Sequence, residues 1–239
     1  MLPVVFTLLW SPLGGGTVYG LSAPWDWGMV AKMIHDISPA ITECLAVWPG
    51  DNGFRREVVR EHARGDDYTL SALHTTAHLG AHADAFAHIV AGAATIDEME
   101  LERYVGPCQV VRVDVGRGET VTPANLNVEI AAPRVLLATG TYPDSERFNE
   151  DFAALSVELV DMLHAAGVGL VGVDTPSVDL FSSAEYECHR RLIGHGISIL
   201  EGLRLEAVEA GLYELIALPL RIIGGDGSPV RAVLRTLGD

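Results

Sequence analysis

The chain has little cysteine, with three residues in 239. Cys44, Cys108 and Cys188 contain no CxxC pair, and an odd, widely spaced set argues against both a disulfide framework and a thiolate zinc site. We therefore expect a reducing, cytoplasmic setting. In that setting all three thiols are expected to pack as small buried hydrophobic side chains.

Positive charge is also scarce. The chain has 16 Lys and Arg and 32 Asp and Glu, so its formal net charge is -16. A chain this acidic repels polyanions, which argues against a nucleic-acid partner and against binding to anionic membrane surfaces. Most of the acids are expected to be solvated surface groups. A few carboxylates gathered at one site would attract divalent cations.

Long hydrophobic runs are missing as well. The first 32 residues begin with a short apolar stretch that breaks into Pro and Gly before it reaches membrane-spanning length. They lack the basic start of a secretory signal, although Leu21-Ser22-Ala23 resembles a cleavage site. We predict that residues 1–32 are a loosely ordered extension, or precede a true start at Met33, and that residues 33–239 form one domain.

The hydrophobic share of 49% and the charged share of 20% are those of a folded protein. One segment, residues 155–166, has helical spacing and ends at Gly167, and the Gly-rich segment 224–229 reads as a turn. Apolar or alternating segments predict strands at 109–115, 134–139, 168–174, 197–201, 212–220 and 230–234. Strands outnumber helices, and the predicted fold class is mixed α/β.

A histidine-rich segment carries the clearest chemical signal. His78, His82, Asp84 and His88 lie between small residues, mostly Ala and Gly. Imidazole and carboxylate together suit zinc, manganese or iron rather than calcium, which prefers oxygen ligands. The alternative is a set of core or surface histidines with no metal.

Geometry limits which of these residues can act together. His82 and Asp84 are two apart and would share one face of an extended segment, whereas His78 can join them only if the chain bends at Gly80. Further ligands should come from elsewhere in the chain. Asp174 and Asp179 are candidates to face a site or to cap a turn, and the remaining histidines are expected to be bystanders: His35, His62, His74, His164 and His195.

The loop Val47-Trp48-Pro49-Gly50-Asp51 places a tryptophan between Pro and Gly. Core packing is one interpretation of Trp48. The other is that a rigid loop presents the indole to an aromatic ligand.

The spacing HxxxHxDxxxH resembles the signature HxGTHxDxPxH of the cyclase-like metal-dependent hydrolases, with Ala81 in place of Thr and Phe86 in place of Pro. Within that superfamily, the stretch from Met33 to Arg235 is most similar to the bacterial-type kynurenine formamidases (arylformamidases). The similarity extends to the segments Asp36-Ile37-Ser38-Pro39, Val47-Trp48-Pro49-Gly50-Asp51, Gly172-Val173-Asp174-Thr175-Pro176-Ser177-Val178-Asp179 and Tyr213-Glu214-Leu215-Ile216-Ala217-Leu218-Pro219-Leu220-Arg221.

The resemblance implies a swivelling β/β/α architecture, with a mixed sheet and flanking helices, in a homodimer or larger homo-oligomer. It also implies two divalent ions, usually zinc with manganese possible. His88 would donate and accept protons, and Trp48 would contact the substrate. The implied metal ligands are His78, His82, Asp84, His189 and Glu201.

The implied reaction is hydrolysis of N-formyl-L-kynurenine to L-kynurenine and formate by a metal-activated water. Two alternatives stay open at this point. One is a related hydrolase that opens a cyclic amide or lactone such as isatin, and the other is a non-catalytic metal-binding module that has kept the fold.

Overall fold

The structure is a computed structural model that describes residues 33–237. The predicted extension, residues 1–32, lies outside the described residues, as does the signal-like Leu21-Ser22-Ala23. The strands are β1 (Ile34–Asp36), β2 (Arg55–Arg60), β3 (Leu70–His74), β4 (His82–Asp84), β5 (Val105–Arg112), β6 (Thr120–Val121), β7 (Arg134–Ala138), β8 (Ala154–Leu155), β9 (Leu170–Val173), β10 (Ser198–Glu201), β11 (Gly211–Ile216), β12 (Gly227–Pro229) and β13 (Val233–Thr236). The α-helices are α1 (Val157–Ala165) and α2 (Glu187–Gly194), and short 3-10 turns occur at His62–Arg64, Phe86–His88, Ile96–Glu98, Leu101–Tyr104 and Pro123–Asn125.

Nine strands form one mixed sheet in the order β1-β13-β11-β5-β7-β9-β10-β4-β12. The central strands β5, β7, β9 and β10 run parallel, and the pairs toward both edges are antiparallel. Two-stranded sheets, β2 with β3 and β6 with β8, complete the described strands. The predicted mixed sheet is therefore confirmed, with much more strand than helix, while the swivelling arrangement stays a prediction.

The core lies on both faces of the large sheet. Side chains alternate across a strand, so Leu136 of β7 packs in one cluster while Val135 and Leu137 pack in the other. The second cluster also contains Leu159 of α1 and Leu192 of α2, so both helices cover that face. β7 and β9, in the middle of the sheet, consist almost entirely of apolar residues because both of their faces are buried.

Most predicted elements are present, with shifted ends. The helix predicted at 155–166 is α1, and it begins after Ser156, whose Oγ accepts the Leu159 N–H at 3.2 Å. The strand predicted at 109–115 is β5, which begins and ends earlier. The strands predicted at 134–139, 168–174, 197–201, 212–220 and 230–234 correspond to β7, β9, β10, β11 and β13.

Four features differ from the sequence predictions. The helix α2 and the β2–β3 pair were not anticipated, because α2 and β2 are short segments rich in charged residues. The segment 224–229 is not only a turn, since its second half is β12 and pairs with β4. Cys44 is exposed, which corrects the expectation that all three thiols are buried, because it lies in an irregular loop away from both core clusters.

Among the described residues, no helix combines the length and apolar character that crossing a membrane requires.

Candidate metal centre

The centre is built around β4, which lies between β10 and β12 in the sheet. His82 and Asp84 are both buried on this strand, and His82 Nε2 lies 3.5 Å from Asp84 Oδ1. Gly80 has a positive φ of 55°, so the chain bends there as the spacing requires. The bend brings His78 back to the strand, with its Nδ1 2.9 Å from Asp84 Oδ1.

Strand β10 places Glu201 beside this pair. Glu201 is the direct neighbour of His82 in the β10–β4 register, and its Oε2 lies 3.3 Å from His82 Nε2. Its other oxygen, Oε1, accepts the Val178 N–H at 2.8 Å. The next residue, Gly202, has a φ of 66°, and a Cβ there would lie 2.1 Å from the Gly80 carbonyl oxygen. Only glycine therefore lets the end of β10 approach the bend at Gly80.

His189 reaches the centre from the first turn of α2. Asp179 accepts the backbone N–H groups of Cys188 and His189 at 2.8 and 3.1 Å, which satisfies two of the free donors at this helix start. The same carboxylate accepts the His189 Nδ1–H at 2.6 Å. His189 Nε2 is thereby directed at the centre, 3.3 Å from Asp84 Oδ2 and 3.3 Å from Glu201 Oε1. Asp179 thus both caps a backbone segment and faces the site.

Backbone and carboxylate acceptors fix the tautomers of two histidines. His82 donates its Nδ1–H to the Gly80 carbonyl at 2.8 Å, which leaves Nε2 free to act as a ligand. His189 is held in the same way by Asp179. Such partners orient the metal-binding nitrogen and are common around histidines that bind metal.

The donor atoms fit divalent metal. Two overlapping sets share Asp84, and within each set one ligand atom per residue lies within 4.8 Å of the others: His78, His82 and Asp84, and Asp84, His189 and Glu201. Asp84 Oδ2 is buried without a hydrogen-bond partner, because the contact with His189 Nε2 does not have hydrogen-bonding geometry. An unsatisfied buried carboxylate oxygen is costly, and a metal ligated there would satisfy it. The five residues that the resemblance implies as ligands are therefore brought together.

The charges of the cluster are strongly coupled. Burial on its own would lower the pKa of His82, but contacts with Asp84 and Glu201 outweigh burial and raise that pKa to about 10. Burial also opposes protonation of His189, whose pKa nonetheless lies well above its usual value because of Asp179, Asp84 and Glu201. Burial would raise the pKa of Asp84, yet the neighbouring histidines hold it well below the usual range. Without metal, protons on the imidazoles therefore balance the carboxylates.

His88 lies beside the cluster, at the end of the 3-10 turn Phe86–His88. Its ring centroid is 4.1 Å from that of His78 and 6.2 Å from that of His189. It belongs to neither of the two sets that share Asp84, but with His78 and Asp226 it forms a third group of possible ligand atoms. Burial lowers its pKa, so the imidazole is neutral near pH 7. This placement suits a proton carrier, a role that stays a prediction.

A cavity of about 440 Å³ opens onto the cluster. His82, His88, His189 and Glu201 line it, together with the aromatic side chains of Trp48, Tyr142, Phe148 and Tyr186. Trp48 makes edge-to-face contacts with Phe148 and Phe152 at centroid distances of 5.6 and 6.2 Å. Trp48 therefore packs against its neighbours and also forms part of the cavity wall, so the two interpretations of this residue are compatible.

The sequence did not single out several residues of this region. Asp226 Oδ2 lies 2.9 Å from His78 Nε2, although its segment was predicted only as a turn. Arg204 and three of the wall aromatics, Tyr142, Phe148 and Tyr186, carry no local motif. Their loops come together only in the folded chain.

The remaining histidines lie outside the cluster. His74 is exposed on β3 and contacts Glu57 at 3.1 Å. His195 contacts Asp161 at 2.8 Å and stacks on His164. Asp174 lines the cavity, and its carboxylate accepts hydrogen bonds from the Thr139 and Gly140 N–H groups, while burial raises its pKa.

Comparison with known proteins places this arrangement in a family. A family model described as "Putative cyclase" matches residues 22–180, about two thirds of the chain. Similar solved structures include a potential metal-dependent hydrolase with cyclase activity, at 26% identity and a TM-score of 0.75, over 87% of this chain and 99% of the other. A predicted metal-dependent hydrolase from Bacillus stearothermophilus is 26% identical with a TM-score of 0.74, over 87% of this chain and 100% of the other.

Isatin hydrolase A from Labrenzia aggregata, bound to benzyl benzoate, shares the fold at 23% identity and a TM-score of 0.73, over 86% of this chain and 94% of the other. The family match ends at residue 180, before His189 and Glu201, whereas the structural matches extend over most of the chain. The chain therefore belongs to the cyclase family.

Proposed function

We propose that this chain is a metal-dependent amide hydrolase that converts N-formyl-L-kynurenine and water to L-kynurenine and formate. The observation that carries the proposal is the position of the buried His/Asp/Glu cluster on the wall of a cavity whose other walls include four aromatic side chains. Solved structures of metal-dependent hydrolases with this fold support the hydrolytic part. The resemblance to the kynurenine formamidases supports the choice of substrate.

The metal ligands in this proposal are His78, His82, Asp84, His189 and Glu201. Two ions that share Asp84 would fit the two donor sets, and imidazole with carboxylate favours zinc, with manganese as the second choice. Bound divalent ions polarise a carbonyl oxygen and lower the pKa of water. The ligands themselves are pre-positioned, because Gly80 and Asp179 already fix two of the imidazoles.

His88 provides the proton transfer. Hydrolysis breaks the bond between the formyl carbon and the aryl nitrogen, and that nitrogen leaves poorly unless it gains a proton. The neutral His88 imidazole can take a proton from the attacking water and deliver it to the nitrogen, so that the ring is unchanged after one turnover. Its lowered pKa keeps it in the neutral form at the start of each cycle.

The cavity walls suit an aryl amino acid. Trp48 and Phe148 offer apolar faces and edges to an aromatic ring. Arg204 also lines the cavity, where its Nη1 contacts Ser145 Oγ at 3.0 Å and its other donors face Glu206. Its guanidinium can attract the substrate carboxylate, although Glu206 offsets part of that charge.

A second candidate is hydrolysis of a cyclic aryl amide such as isatin, supported by the shared fold with isatin hydrolases. The same cluster can act on either carbonyl. A third candidate is a metal-binding module without activity. The neutral histidine beside the cluster argues against it, because such a module does not need a proton carrier.

Comparison of substrates tests the proposal. We expect the zinc-loaded protein to hydrolyse N-formyl-L-kynurenine with a kcat/KM at least tenfold above that for isatin, and above that for formanilide, which lacks the carboxylate. A higher kcat/KM for isatin would replace the proposed substrate with the cyclic one. No turnover of any of the three by protein with full metal content would favour the binding module.

A further inference from the structure

A carboxylate outside the predicted ligand set contacts the metal centre from a separate segment. Asp226 lies directly before β12, which pairs with β4 so that Gly227 is opposite Asp84. The Asp226 carbonyl also accepts the Ala85 N–H at 2.9 Å. These main-chain contacts hold the segment against the strand that carries the ligands, and they explain why the Asp226 side chain lies beside the centre.

One oxygen of Asp226 faces two histidines. Its Oδ2 lies 2.9 Å from His78 Nε2 and 3.7 Å from His88 Nδ1. The two imidazoles are themselves close, with ring centroids 4.1 Å apart and planes inclined by 37°. The first distance is that of a hydrogen bond, whereas the second is too long for one.

The hydrogen bond to Asp226 determines which nitrogen of His78 keeps its proton when a metal binds. A carboxylate can only accept, so His78 donates its Nε2–H to Asp226. Nδ1 also donates to a carboxylate, Asp84 Oδ1 at 2.9 Å, so both nitrogens of His78 carry protons when no metal is bound. On metal binding Nδ1, which lies beside the ligand Asp84, would lose its proton, while the Nε2–H would stay on Asp226. Gly80 and Asp179 play the same part for His82 and His189, so Asp226 would complete a set of three such acceptors.

We infer that Asp226 is a positioning residue that holds His78 in its metal-binding tautomer and places a negative charge beside His88. The part that concerns His78 depends only on metal binding, and the part that concerns His88 rests on the proposed function. The Asp226 side chain is 59% exposed, so water competes with it and its effect should be moderate.

Asp226→Asn in the full-length protein tests this inference, because it removes the charge and keeps the shape. We expect a five- to fifty-fold weaker zinc affinity in competition with a chromophoric chelator, in line with the loss of similar partners of metal-binding histidines. With saturating zinc, kcat for N-formyl-L-kynurenine should fall about tenfold at an unchanged KM. Asp226→Glu should restore part of both. In the zinc-loaded wild type, ¹⁵N NMR of labelled histidines should show a protonated Nε2 on His78.

Asp97→Asn is the matched control. Asp97 Oδ1 accepts the Gly224 N–H at 2.9 Å and so holds the same loop, but it touches neither histidine. We expect its zinc affinity and kcat to stay within twofold of wild type. Equal losses in both variants would show that only loop packing matters, and an Asp226→Asn protein with wild-type zinc affinity would overturn the inference. If the wild type fails to hydrolyse the substrate, the proposed function fails, whereas the zinc and NMR measurements still decide the role of Asp226 toward His78.

Discussion

His189 donates its Nδ1–H to Asp179 across 2.6 Å, and the same carboxylate accepts the backbone N–H of His189. One side chain therefore fixes both the start of α2 and the direction of an imidazole. In Asp179→Asn, the amide can present its NH₂ group to Nδ1, which favours a proton on Nε2, the nitrogen needed for metal. We expect zinc affinity to fall about 10- to 100-fold, measured by chelator competition.

Asp161→Asn is a suitable control for that variant. Asp161 on α1 contacts Arg191 and His195 near the other end of α2, but it is remote from His189. Zinc affinity within twofold of wild type is expected here. If Asp179→Asn also binds zinc as wild type does, the orienting role of Asp179 is wrong.

Gly202 determines how closely β10 approaches the bend at Gly80. In Gly202→Ala, the new Cβ would meet a backbone oxygen at 2.1 Å, and the residue already has a φ of 66°. We expect the free energy of unfolding to fall by about 2 kcal/mol or more, measured by urea denaturation, together with weaker zinc binding.

Gly194→Ala provides the comparison, because a Cβ at that position meets open space and φ is not positive. Its stability should change by no more than about 0.5 kcal/mol. A Gly202→Ala protein as stable as this control would show that the bend can shift without cost.

Metal binding should release protons. The pKa of His82 is raised to about 10 and that of His189 lies well above its usual value, so both imidazoles are protonated at pH 7 when no metal is present. Zinc requires their unprotonated nitrogens, and at least two protons should leave per chain on loading at pH 7. Titration calorimetry in buffers of different ionisation enthalpy measures this number, and release of less than one proton would contradict the predicted charge state.

The stability of the metal-free fold should fall as the pH rises above 6.5, because the pKa of His82 is raised. Because the folded-state pKa of His82 lies above its usual value of 6.5, protonation stabilises the metal-free fold fully below pH 6.5, and this contribution is lost as the pH rises toward about 10. Zinc affinity should change in the opposite direction and increase over this range.

His88→Ala should separate binding from turnover. His88 belongs to neither donor set around Asp84, so zinc content should be unchanged, whereas kcat should fall by about 10²- to 10⁴-fold. His74→Ala, at an exposed position on β3, should retain wild-type kcat. Because burial lowers the pKa of His88, the acidic limb of kcat/KM in the wild type should lie below pH 6.5. Near-normal turnover by His88→Ala would remove the residue from the mechanism.

Sequence patterns were sufficient for the central strands of the large sheet and for part of the site. β7 and β9 are continuous apolar runs because both of their faces are buried, and such runs are visible in the sequence. The spacing of His82 and Asp84 with Gly80 between them and His78 was enough to require a bend, which is present. The local pattern could not connect His189 or Glu201 to them, because those contacts depend on long-range pairing of β10 with β4 and on the position of α2. Only the family resemblance indicated these two residues.

Asp226 and Arg204 could not be predicted from the sequence for a different reason. Each stands in a segment whose composition indicates only a turn or a strand end, and each reaches the cavity region through pairing or loop packing that is distant in sequence. A single carboxylate or guanidinium in such a segment is most often a solvated surface group, so residue type alone does not distinguish it.

The most direct test of the central claim is hydrolysis of N-formyl-L-kynurenine by purified, untagged full-length protein, followed as formate release before and after treatment with a chelator. We predict turnover that is lost on chelation and restored by zinc or manganese, with one to two ions held per chain. Turnover that survives complete removal of metal, or protein that holds less than one ion per chain, would contradict it.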